Sequence, residues 1–317
     1  MSKGRSTGFL DALAGDGRPL LVFTAIVLFL SGVFVIAQSA VGHFLPHDVV
    51  HLGMDAEELS AFFGGRVTLF MFHDRVAFGG SVMAVAILYL WLALFPLRKG
   101  ERWAWWSFVW SGAVGFGSFL TYLGYGYLDT WHGVATLMLV PFFILGLVKS
   151  RSVVDDTVTA GPGIGAWIRS RSSRGRAMLL FVALGLFLGG MVIMGVGMTT
   201  VFVPQDLRYM MVQGCGDLES ISPRLVPLIA HDRAAFGGGL ATIGLLMTMI
   251  LWHRDVDRAL WEALAITLAI GFGSAIGVHF VIGYTDFIHL LPAYFGAAVA
   301  ALGLLFTRMG PRIHPDI

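Results

Sequence analysis

The sequence predicts an all-helical integral membrane protein with eight transmembrane helices, arranged as two tandem four-helix bundles of parallel orientation. Composition is the first reason. Hydrophobic residues make up 56% of the 317 residues, charged residues only 13%, and the mean hydropathy is +0.78, values far from those of a soluble domain. The apolar residues form long runs, and several motifs occur twice in the same order.

Each apolar run is long enough to cross the hydrocarbon core of a bilayer as a helix, which takes about 20 residues. The eight predicted spans cover residues 19–41, 67–97, 103–125, 131–149, 177–201, 226–252, 259–281 and 287–307. No small-residue cleavage pattern of the Ala-x-Ala kind follows the first run. That run is therefore predicted to be a retained helix and not a signal peptide.

The strongest repeated motif is the octapeptide HDRVAFGG at 73–80, which returns as HDRAAFGG at 231–238 with seven of eight positions identical. Other motifs recur at offsets of 156 to 158 residues, namely FLPHD and FVPQD, GFGS twice, and GYxDxxH twice. Their constant order indicates a tandem duplication. We predict a first repeat at 1–149, a cytoplasmic linker at 150–176 and a second repeat at 177–317. Four spans in each repeat give the two copies the same orientation.

The basic residues predict the orientation of the chain. With the N-terminus inside, 16 of the 21 Lys and Arg residues lie on the inner side and 5 on the outer side, so both termini are predicted to be cytoplasmic in the cell (inner) membrane. The net charge of +1 gives no indication of a nucleic-acid partner, and the lipid bilayer is the expected one. A single cysteine, Cys215, excludes an intramolecular disulfide and a cysteine-cluster metal site.

Four histidines are predicted to lie at one depth near the outer side. His73 and His231 begin the membrane-embedded parts of the second and sixth spans, and His132 and His289 begin the fourth and eighth. The even-numbered spans of one bundle are parallel and can lie diagonally across it. We therefore expect His73 to face His132, and His231 to face His289.

Two facing neutral imidazoles in an apolar slot suit the axial positions of haem b, which is the expected cofactor. Arg75 and Arg233, two residues after the histidines, are candidates to pair with its propionates. The glycines that end each octapeptide either make room for the flat ring or serve ordinary helix packing.

Four acids accompany these histidines and are candidate catalytic groups. Asp74 and Asp232 directly follow the octapeptide histidines, whereas Asp129 and Asp286 lie three residues before the histidines of the fourth and eighth spans, on the same helix face. A carboxylate so close to an imidazole can accept its second ring proton, bind a metal ion or carry protons.

The number of spans, their grouping and the histidines at the outer ends of the even-numbered spans resemble the heme A synthase family. The resemblance implies that one bundle holds haem b as a cofactor and that the other receives a haem substrate, at His73, His132, His231 and His289. The chain has Leu69 and Phe70 where that family has a glutamate one turn before the histidine of the second span.

The leading hypothesis is a membrane redox protein with one or two b-type haems near its outer face, engaged in electron transfer or in oxidation of a lipophilic substrate, with quinone or a membrane redox protein as partner. The alternative is a metal-dependent membrane enzyme whose His and Asp side chains bind non-haem iron, zinc, manganese or copper. A third hypothesis is a proton-coupled transporter. A purely structural interpretation makes the His-Asp-Arg string an interfacial cluster of ion pairs.

Overall fold

The structure is a computed structural model that describes residues 8, 14–124, 127, 130–155 and 171–308, without the side chains of 122–124, 130–132 and 171. It is all-helical, with 84% helix and no strand among the described residues. The helices are α1 Arg18–Ala40, α2 Pro46–Leu52, α3 Ala56–Ser60, α4 Arg66–Leu94, α5 Arg102–Ser118, α6 Thr130–Ser150, α7 Arg171–Gly197, α8 Pro204–Met210, α9 Cys215–Ile221, α10 Leu225–His253, α11 Arg258–Ile282 and α12 Phe287–Arg308.

Seven of the described helices are long and apolar enough to cross a membrane, namely α1, α4, α6, α7, α10, α11 and α12. The prediction of an all-helical chain is thereby confirmed, as is that of several helices long and apolar enough to span a membrane. The predicted third span, 103–125, is shorter as an α-helix than expected: α5 has 17 residues and continues as a 3₁₀ segment, Phe119–Gly124.

The helices α4 and α10, which carry the two octapeptides, occupy the centre of the protein. Their most apolar windows are 61% and 67% buried, against 22% to 28% in the other five long apolar helices. The two central helices pack against each other, α4 also packs against α1 and α11, and α10 packs against α7 and α5. Each central helix therefore packs against a helix of the other repeat, and the repeats share one interior instead of forming two separate bundles.

The contact between the repeats explains two of the duplicated motifs. Gly80 of the first octapeptide lies against Ser274 of the second GFGS motif, and Gly238 lies against Ser118 of the first; a Cβ on either glycine would overlap the serine. The preceding glycine of each octapeptide packs equally closely against α1 or α7. Neighbouring helices fill the space beside these glycines. The glycines therefore serve helix packing and do not make room for a flat ring.

Short helices lie before each central helix at matched places in the two repeats. Pro46 and Pro204 occupy the first turns of α2 and α8, where a missing N–H costs nothing. In each case an aspartate at the third helical position accepts a hydrogen bond from the backbone N–H that precedes the helix, Asp48 from Leu45 at 3.1 Å and Asp206 from Val203 at 2.8 Å. Both aspartates are thereby held near the N-terminal parts of the central helices, where they contact Arg75 and Arg233.

Candidate metal centre

Three histidines from three helices converge near one end of the protein. One ligand atom of each of His73 on α4, His279 on α11 and His289 on α12 lies within 4.8 Å of the others. His73 and His279 are buried, with 3% and 6% of their surfaces exposed, and His289 is half-buried. Nε2 of His73 is 3.0 Å from Nε2 of His279, which makes the cluster compact enough for a single ion.

The turn between α11 and α12 brings two of these histidines together. Gly283 ends α11 with a φ of 72°, a left-handed conformation that glycine adopts without strain. Asp286 then caps α12 by accepting the backbone N–H of His289 at 2.8 Å. Between them the ring of Tyr284 stacks on His289 at 4.6 Å and lies 5.3 Å from His279, so both imidazoles are packed in place.

The surroundings of His279 fix its tautomer, whereas those of His73 do not. Nδ1 of His279 is 2.6 Å from the carbonyl oxygen of Ala275, so a proton on this nitrogen leaves a lone pair on Nε2. Nδ1 of His73 is 3.0 Å from Oδ1 of Asp74 but makes no hydrogen bond. The lone pair of His279 can therefore accept a proton from Nε2 of His73 at 3.0 Å, or the two Nε2 atoms can share a cation.

A metal ion fits that separation. Imidazole nitrogens bind zinc at about 2.0–2.1 Å, so two of them at an angle of about 90–110° are roughly 2.9–3.4 Å apart. The 3.0 Å between the Nε2 atoms of His73 and His279 lies in that interval. Imidazoles suit zinc, copper, iron and nickel, and three protein ligands leave a coordination position for substrate or water, as in catalytic sites.

The same pair does not fit two-sided ligation of a haem. Axial imidazole nitrogens stand about 4 Å apart, twice a bond of about 2 Å, on opposite faces of the porphyrin. The rings of His73 and His279 meet edge to face with centroids 4.2 Å apart, which leaves no room for a macrocycle between them.

Arg233 lies beside the histidine cluster and binds two buried carboxylates. It donates to Oδ2 of Asp206 and, at 2.9 Å, to the carbonyl oxygen of Val201, and its Nε lies 3.9 Å from Oδ2 of Asp74. Two carboxylates and one guanidinium leave one net negative charge while the histidines are neutral. Because Asp74 and Asp206 are 1% and 0% exposed, solvent screens that charge poorly, and a cation at the histidines would compensate it.

Tyr284 and Asp206 lie beside the three histidines and are hydrogen-bonded to each other. The Tyr284 hydroxyl donates to Oδ1 of Asp206 at 2.8 Å. Burial and the charge of Asp206 raise the pKa of Tyr284, which keeps the phenol protonated. Burial alone would raise the pKa of Asp206, but the charge and hydrogen bonds of Arg233, with the Val203 N–H and the Tyr284 hydroxyl, lower it overall. Asp206 is therefore a carboxylate.

Arg75 of the first octapeptide has contacts that match those of Arg233. Its Nε donates to Oδ2 of Asp232 at 2.8 Å and its Nη1 donates to Oδ2 of Asp48 at 2.7 Å. Oδ1 of Asp232 lies 3.0 Å from Nδ1 of His231, and the Tyr127 hydroxyl donates to Oδ1 of Asp48 at 3.2 Å. Each octapeptide arginine thus bridges an aspartate of its own repeat and the octapeptide aspartate of the other.

The histidine partners differ from the predicted ones because α4 packs against α11 of the other repeat. The structure places His289 beside His73 instead of beside His231. The ring of His231 lies 5.2 Å from that of Tyr127, in the first repeat. Asp129 and the side chain of His132 lie outside the described residues, so the predicted contact between His73 and His132 stays a prediction.

The remaining predicted site residues have identifiable contacts. Asp286 caps α12 and lies 3.6 Å from Arg208. Asp232 forms a buried ion pair with Arg75, and Arg75 and Arg233 both bind carboxylates. The structural interpretation of the His-Asp-Arg string as an ion-pair cluster therefore describes its aspartate and arginine, whereas His73 belongs to the cluster of three histidines.

His279 is the site residue that sequence reasoning missed. It belongs to no duplicated motif, because the position 157 residues earlier is Tyr122. The available signal was its place four residues before Gly283, at the outer end of the seventh predicted span, one helical turn from the repeated GYxDxxH motif.

Comparisons of the chain with models of protein families, with curated proteins and with solved structures gave no match. A function for this protein has to be inferred from the residues of the site and from their surroundings.

Proposed function

We propose that this chain is a metal-dependent enzyme of the cell (inner) membrane, with its metal centre near the outer face. In this proposal eight spans form two tandem repeats of parallel orientation, and both termini are cytoplasmic. Seven long apolar helices and the excess of Lys and Arg on the predicted inner side support that topology. The three histidines of the cluster then lie at the outer ends of their helices.

The proposed cofactor is one non-haem transition-metal ion bound by His73, His279 and His289. One observation carries this proposal: Nε2 of His73 and Nε2 of His279 are 3.0 Å apart, and Nδ1 of His279 faces the carbonyl oxygen of Ala275. A metal-binding imidazole commonly donates its other ring N–H to such an acceptor. Iron and copper would support oxidation or electron transfer, and zinc would support hydrolysis.

A lipophilic substrate is the class that such a centre would take. His289 is half-buried, while the two neighbouring residues that begin the same helix, Phe287 and Ile288, are each 63% exposed. In a bilayer this arrangement gives a molecule dissolved in the lipid a path to the third ligand and to the open coordination position.

Elemental analysis and the absorption spectrum of the purified protein test the cofactor together. We expect about one equivalent of a transition metal per chain and no Soret band after expression with adequate haem and metals. A stoichiometric haem band without non-haem metal would refute the proposal in favour of the haem hypothesis. A protein that takes up neither after reconstitution with iron, copper and zinc would refute both.

A matched pair of variants tests the ligand set. His279→Gln removes one of three ligands and should weaken metal binding by about 10²-fold or more. His253→Gln is the control, because Nδ1 of His253 lies 2.8 Å from the carbonyl oxygen of Met249 four residues earlier, as in His279, but His253 belongs to no described cluster of possible metal ligands. Equal metal contents in the two variants would contradict the assigned site.

A further inference from the structure

A crevice in the other half of the protein leads to the second octapeptide histidine. It lies between α1, α4 and α10, and its space, which is partly open to the outside, measures about 500 Å³. Phe34 and Gln38 of α1 line one side, and Arg75 and His231 line its polar end. Phe34 is 50% exposed on a helix that is mostly accessible, so the crevice opens toward the lipid.

An apolar slot adjoins this crevice, nearer the middle of the helices. Its space, also partly open, measures about 490 Å³, and Phe78 and Ala235 line both spaces. Val82 on α4 and Phe116 on α5 are among the residues that line its deeper part. The two spaces together have a polar end near the outer side of the protein and an apolar extension, which is the shape that an amphiphile with a hydrocarbon tail requires.

The charges at the polar end favour a neutral head group. Arg75 lies between the carboxylates of Asp48 and Asp232. With His43 and His231, which also line the crevice, in their neutral forms, the polar end carries one net negative charge and would repel an anion. Among the described hydrogen bonds, none uses Nη2 of Arg75 or the side-chain amide of Gln38. Both groups can donate to an uncharged acceptor such as a carbonyl oxygen.

We propose that this crevice binds a neutral lipid-soluble carbonyl compound of the quinone class, with its head at Arg75 and Gln38 and its tail in the slot beside Val82. None of the three histidines of the metal centre lines either space. The crevice is therefore a second site, built by helices of both repeats, and binding there does not require the metal.

Binding of radiolabelled decylubiquinone to the full chain in nanodiscs, measured against empty nanodiscs, tests this site. We expect saturation at one equivalent per chain. Val82→Trp fills the slot and should weaken binding at least tenfold. Leu240→Trp is the control, because Leu240 is the half-buried residue at the same place in the second octapeptide helix, and its affinity should stay within twofold. Gln38→Leu should weaken binding about fivefold, the size of one neutral hydrogen bond.

Oleate, an anionic amphiphile, should not displace the quinone. The proposal is overturned if Val82→Trp and Leu240→Trp bind decylubiquinone with equal affinity, or if oleate competes as well as unlabelled quinone. It is also overturned if the protein copurifies with haem and Val82→Trp loses that haem. The metal content of the same variants shows whether each variant is folded with an intact metal centre. A variant that retains its metal but no longer binds the quinone shows that the two sites are independent. If Val82→Trp does not fold, Gln38→Leu decides.

Discussion

Arg75→Gln should be among the most destabilising single substitutions in this chain, and its cost should depend on pH. Arg75, Asp48 and Asp232 have side chains that are 11%, 2% and 5% exposed. Loss of the guanidinium leaves two buried carboxylates without their shared cation, a change that typically costs about 3–5 kcal/mol. The cost has an upper limit, because the folded variant can protonate one of the two carboxylates instead of burying both charges. Protonating an acid whose unfolded pKa is about 3.9 takes roughly 4 kcal/mol at pH 7.

That limit falls by about 1.4 kcal/mol for each pH unit, so the penalty at pH 5 should be about 1.5 kcal/mol. Unfolding in mixed micelles, followed by tryptophan fluorescence at pH 7 and pH 5, measures both values. Arg258→Gln is the control, because Arg258 pairs with Glu262 on an exposed surface, where ion pairs contribute little. A penalty at pH 7 no larger than that of the control, or a penalty that does not shrink on acidification, would refute this reasoning.

Three further outcomes follow from the structure. Gly80→Ala should cost about 1–3 kcal/mol of unfolding free energy because its Cβ overlaps a neighbouring serine, whereas Gly117→Ala, with no atom within 4 Å of the new Cβ, should not destabilise; equal costs in thermal unfolding would contradict the packing. Asp206 has a lowered pKa, so its ionised form stabilises the folded protein above the unfolded pKa of about 3.9, and this stabilisation is lost as pH falls. Asp206→Asn should therefore lower the free energy of unfolding at neutral pH and reduce its decrease at acid pH. An unchanged decrease at acid pH would count against this reasoning. Cys215, whose pKa is raised by burial and by Glu219, should react with an impermeant maleimide added outside intact cells, and faster as pH rises, whereas Ser152→Cys in a Cys215→Ser background should react only after permeabilisation; the opposite pattern would reverse the topology.

The helices could be read from the sequence because a membrane span is defined by the length of one apolar run. The tenth and twelfth helices, Leu225–His253 and Phe287–Arg308, lie within a residue or so of the predicted spans 226–252 and 287–307. The third span was overestimated, since an apolar run does not indicate where an α-helix changes to the 3₁₀ form, as it does at Phe119.

The partners of each helix could not be read in the same way. Hydrophobicity in a membrane helix shows little of which neighbour it packs against, since lipid is as apolar as a side chain. The pairing of His73 with His279 depends on the contact between α4 and α11, which the sequence shows only indirectly through the small residues Gly80 and Ser274. The sequence therefore did not show which histidines would lie together.

Each central helix packs against helices of the other repeat, and this packing gives the duplication a chemical consequence. The proposed metal centre takes His73 from the first repeat and two histidines from the second, and the crevice takes Arg75 from the first repeat and His231 from the second, so neither proposed site can be completed by one repeat. A single ancestral unit would have needed a second copy of itself to build them, and two identical copies would build two identical sites. Fusion of the copies removes that constraint. His279 in one half and Tyr122 at the equivalent position in the other would then allow the proposed metal centre to have three imidazoles while the crevice accommodates a different ligand.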